Sequence, residues 1–473
     1  MTDPTRAVDG PTFVGDLFPH QRAGVQFLVS QPRALLADAV GLGKTAMAAA
    51  LLAHAADAGE LLHPDRLPVL WVTTASLITQ TIAELRKFIP SLQVASLTAS
   101  PGQPRGPRRL PDVLVTHHDM AHRRYSALST MRPVVVIVDE ASATKGKGER
   151  FESIRDLCAT ASRAVALTAT PQENDPTEFW AMLSLIGVPG LPSRERFEEW
   201  YVQLRTYSNG RTQCIGWKGP AAANYFLHEH GSHFLRRTTE DVGLALPHKV
   251  DSVPVLVSLT DQQQAEYGRA SCITNPLIRH QKMSRAARRA SDGSSSLLPT
   301  AAHFVVEQAR AGNKVVLFTE ELLDVDKLCD LLKEQEVGSV SLRGEDDLAA
   351  REDAVASFRD CPAVSVLVGT KVLEHGLNLQ FANVLVSVCV SYNPGREAQR
   401  EGRLRRIGSP NATFRHLAFL PDTQQVREQL STLHRKSLDA APIMGSYTPT
   451  NMHDGTTDAS HADIRASQPI RTL

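Results

Sequence analysis

Short apolar runs alternate with helical patterns along most of the chain. Up to about residue 190 the runs lie at 34–37, 69–73, 113–116, 134–138 and 164–167. They are rich in aliphatic residues and do not alternate with polar ones, as is typical of strands that helices cover on both faces. The pattern predicts an α/β domain built on a parallel sheet.

The same rhythm restarts at residue 313. Apolar runs at 314–318, 339–342, 365–368 and 383–388 alternate with helical patterns such as 324–335 and 349–358. We therefore predict the α/β fold class, with two tandem, doubly wound parallel-sheet lobes at residues 1–190 and 313–439.

The remaining segments lack this rhythm. Residues 191–312 contain mostly helical patterns and a Ser/Gly-rich break at 292–296. We interpret them as a helical insertion and inter-lobe linker that ends in a hinge. Residues 440–473 are polar and aperiodic, which predicts a disordered tail.

Composition adds few constraints. The 473 residues include 51 basic and 51 acidic ones, so any nucleic-acid contact must come from local clusters of charge. The six cysteines form no CxxC pair, so the sequence indicates neither a zinc site nor a disulfide framework. No apolar run approaches the roughly 18 residues that cross a bilayer. We expect a soluble, cytoplasmic protein without a membrane partner.

A glycine turn separates the first apolar run from an alanine-rich helical pattern. Backbone N–H groups around Gly41 and Gly43 would face an anion, Lys44 would reach the terminal phosphates of a nucleotide, and Thr45 would hold a magnesium ion. Asp38 stands where the strict phosphate-loop pattern has glycine. The strand–turn–helix context favours a nucleotide site over a simple tight turn.

The apolar run at 134–138 ends on two carboxylates. Asp139 suits the magnesium shell, and Glu140 suits the orientation and deprotonation of an attacking water. Alone, this pair would more often cap a helix. Together with Lys44 it favours nucleotide hydrolysis.

Two further segments extend this site. The threonines Thr168 and Thr170, after the run at 164–167, could sense the γ-phosphate, although in isolation they predict only a turn. Upstream, the amide of Gln21 could pair with adenine, whereas a lone glutamine is usually solvated.

A basic segment some 360 residues after the phosphate loop contains four arginines. Arg403 and Arg406 lie about one helical turn apart and could face the phosphates together, whereas Arg400 and Arg405 are off that face and suit surface or packing positions. Taken alone, the segment would be a solvated or DNA-facing helix. Arginines supplied by a second lobe would couple hydrolysis to domain closure.

In this order the motifs resemble those of superfamily-two helicases, and among them the Swi/Snf-like ATPases, over roughly residues 15–420. The most specific match is residues 234–242, which resemble the linker between lobes in that family. Residues 69–90, 171–180 and 376–394 also match.

The resemblance implies two RecA-like lobes that share ATP and Mg²⁺. The lobe-one residues would be Gln21 at adenine, Gly41, Gly43, Lys44 and Thr45 at the phosphates, and Asp139 and Glu140 at magnesium and water. Gln399, Arg403 and Arg406 would complete the site from lobe two. Ser142 replaces the family histidine, a change that bears on coupling between lobes and removes no group needed for hydrolysis.

A nucleic-acid track would contact the sugar–phosphate backbone from loops of both lobes. By resemblance the candidates are Ser76, His117, Thr370 and Lys371, for which ordinary capping is an equal alternative. In the basic run at 279–289, Arg285, Arg288 and Arg289 could share a phosphate-gripping helix face, and a solvated basic face is equally compatible with the sequence.

These observations predict a DNA-dependent ATPase that hydrolyses ATP in the inter-lobe cleft and translocates along double-stranded DNA. One alternative is an unwinding helicase, or the motor subunit of a restriction or repair system, with a protein partner in replication, repair or restriction. Another is a nucleotide-gated DNA or protein clamp with little turnover, against which the intact hydrolytic residues argue.

Overall fold

The computed structural model describes residues 12–63, 65–97, 110–144, 148–207, 210, 212–243, 246–250, 254–346, 348–374, 377, 379–406 and 408–444. Lobe one comprises the strands β1 (Arg33–Leu36), β2 (Val69–Thr73), β3 (Val94–Ser96), β4 (Val113–His117), β5 (Val135–Asp139) and β6 (Arg163–Leu167). Its helices are α1 (Pro19–Ser30), α2 (Lys44–Asp57), α3 (Ile78–Phe88), α4 (His118–Arg123), α5 (Tyr125–Thr130), α6 (Glu149–Thr160) and α7 (Pro176–Leu185).

The middle segment contains strands as well as helices. Its strands are β7 (Val202–Thr206), β8 (Thr212–Trp217), β9 (Phe234–Leu235), β10 (His248–Val250) and β11 (Val255–Val257). Its helices are α8 (Arg194–Tyr201), α9 (Pro220–His230), α10 (Asp261–Ser271), α11 (Pro276–Arg288) and α12 (Leu297–Arg310).

Lobe two follows the same plan as lobe one. Its strands are β12 (Val315–Phe318), β13 (Gly338–Leu342), β14 (Val364–Gly369), β15 (Val384–Ser387) and β16 (Thr413–Pro421). Its helices are α13 (Leu322–Glu334), α14 (Leu348–Asp360), α15 (Pro394–Leu404) and α16 (Gln424–Met444).

Both lobes are parallel sheets, which confirms the predicted fold class. Within the described ranges, the lobe-one order is β3-β4-β2-β5-β6-β1-β9. The lobe-two order is β10-β16-β15-β12-β14-β13, with β11 also paired to β16. Because strands in a parallel sheet end at one edge, the segments after β1, β5 and β6 lie side by side.

The central strands of lobe one are buried on both faces. In β2, Leu70 and Val72 pack into one apolar cluster of lobe one while Val69 and Trp71 pack into the other. Successive side chains of a strand point to opposite faces, so helices on both sides bury every position. This is why the runs are uniformly apolar.

The segment at 191–312 divides between the lobes. β9 pairs with β1 in lobe one, whereas β10 and β11 pair with β16 in lobe two, so the chain crosses between lobes at residues 236–247. The Ser/Gly-rich break lies inside lobe two, where Ser291 and Ser296 bond to Glu266 and Gln263 of α10. The hinge expected at 292–296 is therefore not at the lobe boundary, because strand pairing transfers the chain to lobe two earlier.

The last helix of the described chain spans both lobes. Leu430 and Leu433 of α16 pack in lobe two, whereas Ile443 joins an apolar cluster of lobe one. The helix passes residue 439, after which we expected a disordered tail, because burial of Ile443 and Met444 stabilises its last turn. Residues 445–473 lie outside the described ranges. Among the described helices, none combines the length and the apolar character that a membrane span requires.

Candidate functional site

The phosphate loop joins β1 to α2. Gly41 and Gly43 have φ values of +89° and +83°, a left-handed conformation that glycine adopts without steric cost. A side chain at Gly43 would also collide with the amide of Gln21. Lys44 Nζ donates to the Asp38 carbonyl at 2.6 Å and to the Ala39 carbonyl at 3.3 Å, inside the curve of the loop. The loop thus has the form of an anion cradle at a helix N-terminus.

Asp38, the residue that departs from the phosphate-loop pattern, forms a buried ion pair. Its two carboxylate oxygens accept from Nε and Nη2 of Arg237, at 3.1 and 2.5 Å, and Arg237 Nη1 also donates to the His20 carbonyl. The Asp38 side chain is fully buried and that of Arg237 is 15% exposed. Sequence reasoning had matched Arg237 to the family linker without finding this pair.

Three charged groups meet at the strand ends beside the loop. Burial lowers the pKa of Lys44 to about 8, although Glu140, Asp38 and Asp139 oppose the shift. Burial and the neighbouring Glu140 raise the pKa of Asp139 to about 7. Glu140 has a φ of +48°, an uncommon backbone conformation for a non-glycine residue and one that clusters at functional sites. The predicted lysine and carboxylates therefore lie together.

Helix α15 of lobe two lies against the phosphate loop. A Cβ at Gly402 would be 2.7 Å from Cβ of Val40, and one at Gly41 would be 3.5 Å from Cγ of Arg406. Arg406 Nε donates to the Gly402 carbonyl at 2.8 Å. Burial and the nearby Arg403 lower the pKa of Arg406 to about 10. The structure thus brings Arg406 of lobe two to the loop of lobe one, with Arg403 close to Arg406.

The other polar residues of this segment have different surroundings. Gln399 is half-buried one helical turn before Arg403. Arg400 is buried, with Nη1 2.8 Å from Glu397 and its guanidinium 3.7 Å from the centre of the Phe318 ring. Arg405 donates to the Pro247 carbonyl at 3.0 Å. Arg400 and Arg405 are packing residues.

A buried charge cluster fixes α15 within lobe two. Glu401 accepts from Lys249 Nζ at 2.7 Å and contacts Nδ1 of His416 at 2.9 Å, while Nε2 of His416 lies 3.0 Å from Ser387 Oγ. Burial raises the pKa of Glu401, but His416 and Lys249 outweigh it and lower the pKa to about 2. The sequence does not indicate these contacts of Glu401, because Lys249 lies far from α15 in the chain and His416 lies in strand β16.

Gln21 lies beside the phosphate loop. Its Nε2 donates to the Leu42 carbonyl at 3.2 Å, and its Oε1 accepts from the Phe18 amide at 3.0 Å. In this arrangement the amide supports the loop and the start of α1.

A cleft of about 1080 Å³ separates α3 of lobe one from α14 of lobe two. Ser76, Thr370 and Lys371 all line it, and so does Arg406. His117 lies elsewhere, at the start of α4, where its Nδ1 accepts from the Met120 amide at 3.3 Å. The structure therefore groups three of the four strand-end candidates from two lobes.

Arg285 and Arg288 do not share a surface. Arg288 is largely buried and forms an ion pair with Glu321 at 2.9 Å. Arg285 lines a different cavity together with Lys282 and Arg289. The structure thus separates Arg288 from Arg285 and Arg289, and a phosphate contact by Arg285 stays a prediction.

Sequence profiles agree with this geometry. The SNF2-related domain matches residues 20–310, more than half of the chain, and the helicase conserved C-terminal domain matches residues 298–408. The chain belongs to the SNF2-related family. It therefore carries both parts of a superfamily-two helicase core, as the motifs predicted.

Curated relatives of this SNF2-related chain come from several kingdoms. The transcription regulatory protein SNF2 of Saccharomyces cerevisiae is 24% identical over 472 residues, covering 90% of this chain and 27% of the yeast protein. The putative ATP-dependent helicase/translocase YwqA of Bacillus subtilis is 26% identical over 463 residues, covering 89% and 48%. The chain spans roughly a quarter to a half of the length of the curated relatives it matches.

Two solved structures are also similar. The Sulfolobus solfataricus SWI2/SNF2 ATPase core in complex with dsDNA has a TM-score of 0.46 and 22% identity, covering 92% of this chain and 94% of the other. The SWI2/SNF2 ATPase core domain of the same organism has a TM-score of 0.45 and 20% identity, covering 90% of each.

Ser142, in place of the family histidine, contacts the segment after β6. Its Oγ lies 3.5 Å from Oγ1 of Thr170, at the limit of a hydrogen bond. Thr168 and Thr170 are both buried, and Thr168 Oγ1 accepts from the Thr170 amide at 3.1 Å. A polar contact thus joins the segments that follow β5 and β6.

Proposed function

We propose that this SNF2-related chain is a DNA-dependent ATPase that hydrolyses ATP between its lobes and translocates along double-stranded DNA. The observation that carries the proposal is the close approach of Arg406 of lobe two to the lobe-one phosphate loop, where a Cβ on Gly41 would lie 3.5 Å from Cγ of Arg406. A site divided in this way is complete only when the lobes are close. Hydrolysis and lobe movement are then linked.

Each residue has a role that its position supports. Lys44 would bind the terminal phosphates once it exchanges the loop carbonyls for phosphate oxygens. Glu140 would orient and deprotonate the attacking water. Arg403 and Arg406 would stabilise the charge that develops in the transition state, and Gln399 lies one helical turn before Arg403 on α15. Gln21 would stabilise the loop and offer its remaining N–H to adenine.

The donor set fits a magnesium ion. Thr45, the second residue of α2, offers a hydroxyl, and Asp139 offers a carboxylate; both are hard oxygen ligands of the kind Mg²⁺ takes. Burial and the neighbouring Glu140 raise the pKa of Asp139, and a cation bound beside this carboxylate would oppose both effects. Thr45 and Asp139 would hold the ion, which would neutralise phosphate charge when bound.

The cleft lined by Ser76, Thr370 and Lys371 supports contact with a sugar–phosphate backbone. Hydroxyl and lysine donors from two lobes would contact phosphates irrespective of sequence, as a translocase requires. The assignment of duplex DNA, and of an intracellular setting, rests on the SNF2 relationship. The name of the Bacillus relative, a putative helicase/translocase, supports the same class.

Phosphate release tests the proposal. Wild-type protein should hydrolyse ATP faster with double-stranded DNA than with single-stranded DNA or RNA, while Lys44→Ala and Glu140→Gln should reduce the rate to background. Equal, negligible rates for all three proteins would contradict the ATPase and leave the clamp. Displacement of a third strand from a triplex, without separation of the duplex, would distinguish translocation from unwinding.

A further inference from the structure

The carboxylate of Glu173 connects the two lobes. Its Oε1 accepts from Oγ1 of Thr170 in lobe one at 2.9 Å, and its Oε2 accepts from Nδ2 of Asn393 in lobe two at 2.7 Å. Each carboxylate oxygen thus accepts a hydrogen bond from a different lobe. Hydrogen bonds to an ionised carboxylate are stronger and more directional than neutral ones.

Asn393 is also the residue that caps α15. Its Oδ1 accepts from the Gly395 amide at 2.8 Å, so one side chain both begins the helix and contacts Glu173. Gly395 is seated directly on lobe one, since a Cβ there would be 2.5 Å from Cγ2 of Thr170. The first turn of α15 therefore has a defined seat on lobe one.

The contacts continue toward the catalytic strand end. Thr170 Oγ1 lies 3.5 Å from Oγ of Ser142, three residues after Asp139. Beside them, Lys436 of α16 donates to Oδ1 of Asn174 at 2.8 Å and to the Tyr392 carbonyl at 3.1 Å. Two adjacent residues of one lobe-one loop are thus tied to two adjacent residues of lobe two.

We propose that Glu173 is a positioning residue that sets the place of α15, and hence of Arg403 and Arg406, relative to the phosphate loop. The inference rests on the proposed ATPase function. Because the arginines act on charge that develops in the transition state, displacement of their helix lowers kcat more than it changes KM for ATP.

The pair permits a reversal of polarity. Asn393→Asp keeps an efficient helix cap, since asparagine and aspartate cap equally well. It replaces the N–H donor with a second carboxylate opposite Glu173. In the double variant E173Q/N393D the hydrogen bond can form again in the opposite direction: the side-chain amide at position 173 donates, and the carboxylate at position 393 accepts. A merely structural defect in either position would not be repaired in this way.

Steady-state kinetics at saturating duplex DNA test the inference. N393D and E173A should each lower kcat by about tenfold, the effect of one lost charge-assisted hydrogen bond, with KM for ATP changed less than about twofold. E173Q/N393D should recover most of the loss. The matched control Glu229→Ala, an exposed lobe-one glutamate, should match wild type. Wild-type kcat in both single variants, or no recovery in the double variant, would overturn the inference.

Small-angle scattering separates this inference from the proposed function. N393D should increase the radius of gyration of the ATP-free protein and E173Q/N393D should restore it, whether or not the protein hydrolyses ATP. If wild type lacks ATPase activity while the scattering pattern holds, the proposed function fails and Glu173 remains the inter-lobe contact. Identical scattering of all variants would count against Glu173.

Discussion

In each lobe, a segment of the candidate site is held by a buried carboxylate that pairs with a basic residue near the crossing between the lobes. In lobe one, Asp38 of the phosphate loop pairs with Arg237. In lobe two, Glu401 of α15 pairs with Lys249. The chain on either side of the crossing between β9 and β10 therefore contacts both halves of the candidate site. A change in its course would displace the phosphate loop and the arginines together.

The lobes differ in how they build the site. Lobe one places its groups after β1, β5 and β6, which are neighbours in one sheet, so that sheet alone fixes Lys44 and Asp139. Lobe two presents its arginines at the end of α15, which Glu401 fixes within lobe two and which approaches Val40 and Thr170 of lobe one. The comparison teaches that the phosphate-binding half lies within one lobe, whereas the arginines belong to the other lobe and reach the phosphate loop only where the lobes meet.

The largest effect on ATP hydrolysis should come from replacing the lobe-two arginines Arg403 and Arg406. Arg406→Ala, and likewise Arg403→Ala, should lower kcat for ATP hydrolysis by about 10³-fold or more, the scale of an arginine finger. DNA affinity, measured by fluorescence anisotropy, should stay close to wild type. Arg405→Ala is the matched control, because Arg405 contacts Pro247 of the linker, and its kcat should fall less than about threefold.

The ion pair between Asp38 and Arg237 should contribute strongly to the stability of the lobe-one half of the site. Asp38→Asn should reduce the free energy of unfolding by about 3 kcal/mol, because it leaves the buried guanidinium of Arg237 without its counter-charge. Urea titration measures the loss. Asp119→Asn removes an exposed ion pair with Arg150 and should cost less than about 1 kcal/mol. Equal losses for the two variants would show that burial of Asp38 adds nothing.

The lobe-two pair should give stability a dependence on acid pH. The folded-state pKa of Glu401 is about 2, below its ordinary value, so its contribution is complete above about pH 4.5 and is lost as the pH falls toward 2. Glu401→Gln should be less stable than wild type at pH 6. Between pH 4.5 and 3, the free energy of unfolding should fall less steeply for the variant than for wild type. The two slopes should differ by up to about 1.4 kcal/mol per pH unit, the effect of one proton. Parallel curves would contradict this assignment.

The smallest effect should appear at the cleft between the lobes. Lys371→Ala should weaken DNA binding uniformly across sequences and reduce the salt dependence of binding by about one phosphate contact. Arg288→Ala is the comparison, since its ion pair with Glu321 engages that guanidinium already. An unchanged salt slope for Lys371→Ala would remove this lysine from the proposed track.

Much of the fold followed from hydrophobic pattern. The run predicted at 69–73 is β2 itself, and the run at 134–138 is β5 displaced by one residue. The partition of residues 191–312 did not follow, because pairing of β9 with β1 and of β10 with β16 is a contact between distant segments. The passage of α16 back to lobe one escaped prediction for the same reason.

The sequence by itself determined the phosphate loop and the carboxylates at the end of β5, because each depends on local spacing along one element. It also selected Arg403 and Arg406, but it placed them on one helix face, whereas α15 ends at Leu404 and Arg406 follows it. Only the tertiary structure decided that Asp38 pairs with Arg237, that Glu401 lies between Lys249 and His416, and that Glu173 joins Thr170 to Asn393. Those contacts form between residues far apart in the chain, and local pattern carries no information about which distant group compensates a buried charge.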